Sequence, residues 1–181
     1  MVLSPAIPYH NLILTGQIGL ARVTVGRLIA RQFGAVFLDL DTELQLREGM
    51  PSEEIRQLFG EQRLRGLEDE LSRELSLRRS AVLSVNGPTL LDENIRNRLM
   101  NSGPILILTC SLNEVLRRLH ASQGARFHDP KVRSAALYQI RREQQILQIK
   151  GLPILDTTTF SAEQVAEHAS KFWRENDVMT V

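Results

Sequence analysis

Five short apolar runs, Leu12 to Thr15, Val36 to Leu40, Ala81 to Val85, Ile105 to Thr109 and Pro153 to Asp156, are separated by longer stretches with helical periodicity. Apolar runs of this length, without polar alternation, suit strands covered on both faces, as in a parallel sheet. The helical stretches are Val23 to Gln32, Ser52 to Phe59, Glu61 to Leu77, Asp92 to Met100, Leu112 to Ala121, Val132 to Ile149 and Ser161 to Glu175. Ser161 with Gln164 makes a capping box, and Ser52 with its acidic neighbours Glu53 and Glu54 makes one in part. This alternation predicts an α/β fold: a five-stranded parallel sheet flanked by helices on both faces, in three layers. Ligands then belong outside the carboxyl ends of the strands. Gly16 to Val23, Asp39 with Asp41, and Asn86 to Thr89 follow those ends.

At 181 residues with 43% hydrophobic content, the chain is expected to form a single domain over 1–181, its core about 11–175. Lys plus Arg (22) nearly balance Asp plus Glu (21), so no overall field draws the chain to nucleic acid or an anionic membrane. Arg78 and Arg79 are offset by Glu68, Asp69, Glu70 and Glu74, which also argues against a nucleic-acid surface. No apolar run approaches the roughly 20 residues of a membrane span, and the start, MVLSPAIPYH, lacks a basic region followed by a long apolar stretch. The single cysteine, Cys110, cannot form an internal disulfide and suits a reducing cytoplasm. At the end of an apolar run it is expected to pack, not to react. His10, His120, His128 and His168 show no metal-ligand spacing. Trp173, with Phe172 and Val165, is expected to dock the last helix.

The first run leads into Gly16 and Gly19 and then a helix, LILTGQIGLARVTVGR, in the manner of a phosphate-binding loop. In the pattern G-x-x-x-x-G-K-[ST], the second glycine lets backbone N–H groups converge on phosphate, the lysine reaches the β/γ-phosphates and the hydroxyl ligates Mg²⁺. Here those places hold Ala21, Arg22 and Val23, and Thr24 offers a hydroxyl one position late. Arginine supplies charge in a wider planar fork, and valine cannot ligate a metal. By spacing alone, an ordinary strand–turn–helix with a glycine-rich turn fits as well.

Other segments align with that loop to give a family resemblance over about 11–169. Gly16 to Arg27 resembles G-x-x-G-x-G-K-S-T-x-G-R of the shikimate kinases, Phe37 to Asp41 their F-x-D-x-D, and Ile55 to Glu68 a shortened I-x-x-I-F-x-x-x-G-E-x-x-F-R-x-x-E. Leu83 to Leu90 stands where that family has I-A-T-G-G-G-x-V, and only Gly87 is kept, with Asn86 and Pro88 beside it. Arg117 to Phe127 resembles the segment leading to the lid, and Arg142 to Ile146 the family's R-x-P-L-Y without its Pro-Leu-Tyr. Leu155 to Ala166 is similar to the closing strand, adenine-side loop and helix.

The resemblance implies a P-loop sandwich of the nucleoside-monophosphate-kinase and shikimate-kinase type. It also implies ATP-dependent phosphorylation of shikimate to shikimate 3-phosphate, with ATP and Mg²⁺ as cofactors. Nucleotide contacts fall on Gly16, Gly19, Ala21, Arg22, Thr24 and Arg126, and substrate contacts on Asp41, Arg65, Gly87 and Arg142. Metal contacts fall on Asp39 and Thr24, and the catalytic roles on Asp41 and Arg22. Either Arg117 or Arg118 stacks on adenine, or both lie on a solvated helix face. Loss of the lysine and of the metal hydroxyl implies weak or absent turnover. A slow or altered small-molecule kinase and a non-catalytic ligand-binding or regulatory module therefore both remain. The expected partner is a small carboxylate such as shikimate.

Overall fold

The computed structural model describes residues 6–16 and 22–177. Five strands, β1 (Leu12–Gly16), β2 (Val36–Asp39), β3 (Ala81–Ser84), β4 (Ile105–Thr109) and β5 (Ile154–Asp156), form one parallel sheet in the order β2-β3-β1-β4-β5. The strand expected to reach Leu40 stops at Asp39, and the one expected to reach Val85 stops at Ser84.

Alternation along the central strands divides the core. Ile13, Leu83, Ile105 and Ile107 face one layer, and Leu12, Leu14, Val82, Leu106 and Leu108 face the other. The second face is covered by α1 (Arg22–Phe33) and α9 (Ala162–Glu175). Trp173 of α9 is 0% exposed, meets Phe33 edge-on at 5.1 Å and donates its indole N–H to the His10 carbonyl at 2.9 Å. The capping box at Ser161 and Gln164 starts α9 as the sequence implies.

The first face is covered by α2 (Leu40–Glu48), α3 (Ser52–Phe59), α4 (Glu61–Ser76), α5 (Gly87–Leu90) and α6 (Glu93–Ser102). Two of these helices, α2 and α5, are additions to the sequence reading. Asp39 starts α2 by accepting the Thr42 N–H, and Asn86 starts α5 by accepting the Thr89 N–H. Ser52 is not a cap. Pro51 takes that position, and the Ser52 hydroxyl turns to Asp41 instead.

A third cluster joins α7 (Leu112–Gln123), a 3₁₀ segment (Gly124–His128) and α8 (Pro130–Gln144), which ends in a second 3₁₀ turn instead of continuing as α-helix to Ile149. Cys110 is buried in this cluster, and burial pushes its thiol pKa up, as suits a packing role. No described helix is long and apolar enough to cross a membrane.

Candidate functional site

Two cavities open at the carboxyl ends of the strands. The larger, about 580 Å³, is lined by residues that follow β2 and β3 together with α3, α4 and α8. The second, about 520 Å³, is lined by Leu108 of β4, Val25 of α1, Glu114, Arg117 and Arg118 of α7, and the Thr157–Val165 region after β5. The start of α1 lies between them in the sheet order.

Gly16 ends β1 with φ +141, and a Cβ there would stand 1.9 Å from the Leu108 carbonyl oxygen, so no side chain fits. Gly19 and Ala21 lie outside the described residues. Arg22, the first residue of α1, turns away from the second cavity. Its Nε donates to the Ser84 hydroxyl at 2.8 Å, one terminal nitrogen lies 3.4 Å from the Gly16 carbonyl, and the other stands 3.8 Å from Asp41 Oδ2. The side chain at the lysine position is thus committed to the wall of the larger cavity.

Asp41 is held from three sides. Its Oδ1 accepts the Ser52 hydroxyl at 2.9 Å, both oxygens lie within 3.3 Å of Asn86 Nδ2, and Arg22 faces Oδ2. Asn86 therefore caps α5 with its oxygen and holds Asp41 with its nitrogen, a double role invisible in the glycine-turn alignment. Asp39 is 7% exposed. Its Oδ2 accepts from Thr42, while its buried Oδ1 has no hydrogen-bond partner among the described residues.

Arg65 and Arg142, from different helices, converge on one carboxylate. Arg65 Nε lies 3.6 Å and an Arg142 terminal nitrogen 3.5 Å from the same oxygen of Glu61. The side chain of Arg65 is 67% exposed, that of Arg142 only 26%. Glu61 thus stands where the carboxylate of a bound acid would be expected.

Two buried carboxyls also line this cavity and were not assigned roles from sequence. Burial pushes Glu68 and Glu143 each up to about 7. Thr89 Oγ1 lies 2.7 Å from both Glu68 Oε1 and Asn86 Oδ1, yet carries a single proton. Asn86 Oδ1 also receives the Thr89 N–H, so it is an acceptor. Both 2.7 Å contacts are hydrogen bonds only when Glu68 is protonated and donates to Thr89, which donates to Asn86. Glu143 Oε2 accepts the Gly87 N–H at 2.7 Å. Gly87 is glycine for that contact and not for its backbone angle: a Cβ there would lie 2.6 Å from the same oxygen.

The remaining sequence-derived residues lie apart. Thr24 is exposed on α1 and lines neither cavity, and Arg126 is exposed in the first 3₁₀ segment and lines neither. Arg117 and Arg118 both bind Glu114, whose carboxyl they hold well below the usual range, but only Arg118 also reaches the Thr157 carbonyl. Both line the second cavity, Arg117 with a side chain 70% exposed and Arg118 with one 23% exposed.

Among the described residues no group of three or more His, Cys, Asp or Glu could hold a metal ion. Mg²⁺ in kinases needs only one or two carboxylates beside the phosphates, and the Oδ1 of Asp39, unpartnered among the described residues, fits that demand in chemistry, although it is buried and Asp39 lines neither cavity. Thr24 does not.

Residues 19–174 match the family model for shikimate kinase. A shikimate kinase of Geobacter sulfurreducens is 31% identical over 167 residues, 92% of each chain. One of Thermodesulfovibrio yellowstonii is 29% identical over 162 residues, covering 89% of this chain and 93% of its own. Among solved structures, a shikimate kinase of Acinetobacter baumannii in complex with shikimate superposes with a TM-score of 0.76 at 22% identity, over 93% of this chain and 95% of that one.

Proposed function

Because the chain belongs to the shikimate kinase family, we propose that its larger cavity binds a small hydroxylated acid of the shikimate type and that phosphoryl transfer to this acid from ATP is slow. The observation that carries the reading is Arg22, which occupies the lysine position yet is spent on Ser84, the Gly16 carbonyl and Asp41. Phosphoryl transfer depends almost wholly on positioning and charge neutralisation, so a cation turned from the phosphates leaves the transition state short of one principal contact.

In this reading Arg142 and Arg65 exchange Glu61 for the acid's carboxylate, and Asp41 orients the attacking hydroxyl. The nucleotide takes the second cavity, with Arg118 at its wall, and Mg²⁺ bound with it would be held by Asp39 and would neutralise phosphate charge. Val23 cannot assist it, so Mg²⁺ is expected to strengthen ATP binding little.

A second reading, a binding module without turnover, is favoured by the state of Asp41. Its oxygens are engaged by Ser52, Asn86 and Arg22, which leaves few free lone pairs for a substrate hydroxyl. Separate calorimetric titrations with shikimate and ATP–Mg²⁺, followed by an ADP-release assay, divide the cases. Shikimate binding with slow ADP release supports the first reading and binding without release the second. Turnover at about 1–100 s⁻¹, ordinary for a kinase, would overturn both.

A further inference from the structure

Glu143 follows Arg142 in the last turn of α8 and is 4% exposed, although its side chain lines the larger cavity. One carboxyl oxygen accepts the Gly87 N–H, and no hydrogen bond reaches the other among the described residues. A buried carboxyl with one oxygen left over, at the wall of a ligand-sized cavity, calls for a donor inside that cavity.

The guanidinium groups around it are already matched. Arg22 faces Asp41, Arg56 is bonded to Glu53, and Arg65 and Arg142 share Glu61. Glu68 is hydrogen-bonded to the Thr89 hydroxyl. Apart from Asp92, which caps α6 by accepting the Asn94 and Ile95 N–H groups, Glu143 is therefore the one wall carboxyl among the described residues with no arginine bonded to it and no link to a threonine hydroxyl. A simple acid that displaced Glu61 from the two arginines would add a negative charge beside Glu143, whose ionised form Arg22 and Arg142 favour without bonding to it. An acid that also carried a protonated amine would add no net charge and would supply the missing partner.

We propose that Glu143 forms an ammonium subsite, so that the acid this cavity takes is a hydroxylated amino acid, its carboxylate on Arg65 and Arg142 and its ammonium on Glu143. The inference rests on the acid-binding reading above and narrows its substrate class. Adjacent residues of one helical turn then read the two ends of the zwitterion, and the hydroxyl is left to Asp41. An arriving ammonium also favours the ionised form of a carboxyl that burial, offset in part by Arg22, the Gly87 N–H and Arg142, holds at about 7.

The test titrates shikimate, and its analogues with a primary amine replacing one of the ring hydroxyls not expected to receive phosphate, into the wild-type chain at about pH 8, where Glu143 is mostly ionised. One amine analogue is expected to bind about tenfold tighter than shikimate, in line with a charge-assisted contact. Glu143→Gln keeps an acceptor for the Gly87 N–H but removes the charge, and should bring that preference to within about twofold. Glu143→Ala, checked for folding by thermal unfolding, should do the same and guards against misassembly of either variant. Shikimate binding as tightly as every amine analogue, or a preference that survives both substitutions, overturns the ammonium subsite and leaves the acid-binding reading standing. If neither shikimate nor any analogue binds, both fall.

Discussion

Arg22 Nε donates to the hydroxyl of Ser84 at 2.8 Å, which ties the first residue of α1 to the buried end of β3 across the mouth of the larger cavity. A lysine, with one compact ammonium, could not make this contact and also reach Asp41 and the Gly16 carbonyl in the same fork. The arginine is thus a structural member of the cavity wall.

Arg65 and Arg142 both face Glu61, so in the acid-binding reading Glu61 competes with the bound acid for them. Glu61→Gln is expected to tighten shikimate binding severalfold, because a neutral amide no longer pairs with them. Arg142→Ala should weaken binding about 10- to 150-fold, the equivalent of roughly 1.5–3 kcal/mol for a charge-assisted pair. Arg65→Ala should cost less, since its side chain is two-thirds exposed and solvent screens it. Calorimetry on the three variants checks the order, and a larger loss for Arg65→Ala than for Arg142→Ala would contradict it.

Glu68 should make folding stability depend on pH in an unusual direction. Its folded pKa of about 7 lies above the value of about 4.3 for an unfolded glutamate, so between these the native chain holds more protons than the unfolded one. The contribution is fully present below about pH 4.3 and is lost as pH rises through 7. Glu68→Gln retains a donor to Thr89 without the titration. Its stability relative to the wild type should rise by on the order of 3 kcal/mol between about pH 4 and pH 8. Denaturant unfolding at both pH values measures this, and a pH-independent difference would show that Glu68 is not buried as described.

Trp173 ties the last helix to the first and to the segment before β1. Trp173→Ala should destabilise by about 3–5 kcal/mol, as for other fully buried aromatic truncations. Trp173→Phe should lose less, mainly the bond to the His10 carbonyl. Thermal unfolding of the two variants distinguishes packing from hydrogen bonding.

The layered sheet was legible because its strands are continuous apolar runs, and nothing else in the chain competes with that pattern. Helix α2 was not, because Leu40–Glu48 buries only Leu40 and Leu44, and its first turn reads as a solvated acidic loop. Helix α5 escaped because four residues with a proline carry no periodicity. In the site, the arginines and Asp41 stood out as charges in a recognisable order. Glu68 and Glu143 did not, since a glutamate in a charged helix looks like surface until the opposing turn, Gly87 to Thr89, is seen to cover it. Asn86 and Pro88 looked like damage to a glycine turn, whereas Asn86 is a cap and a brace for Asp41.

That last point changes what a repaired site should do. Restoring Ala21→Gly, Arg22→Lys and Val23→Ser together should return a lysine and a hydroxyl to the phosphate loop and raise ATP affinity and its Mg²⁺ dependence. The same change releases Ser84 and frees Asp41 from its guanidinium, so ADP release in the presence of shikimate should rise with it. Shape still limits the rate, because a reacting hydroxyl misplaced by about 1 Å can cost on the order of 10²-fold. Adding Asn86→Gly and Pro88→Gly, which the alignment alone would recommend, should now lower turnover. It removes a cap typically worth about 1 kcal/mol and the amide that holds Asp41 in place. Stability and shikimate-dependent ADP release are therefore compared for the wild type, the triple variant and the fivefold variant. The expected order of rates is triple, then fivefold, then wild type, with the fivefold variant the least stable. A fivefold variant that is both faster and no less stable than the triple would show that Asn86 is a remnant of a lost turn and not a positioning residue.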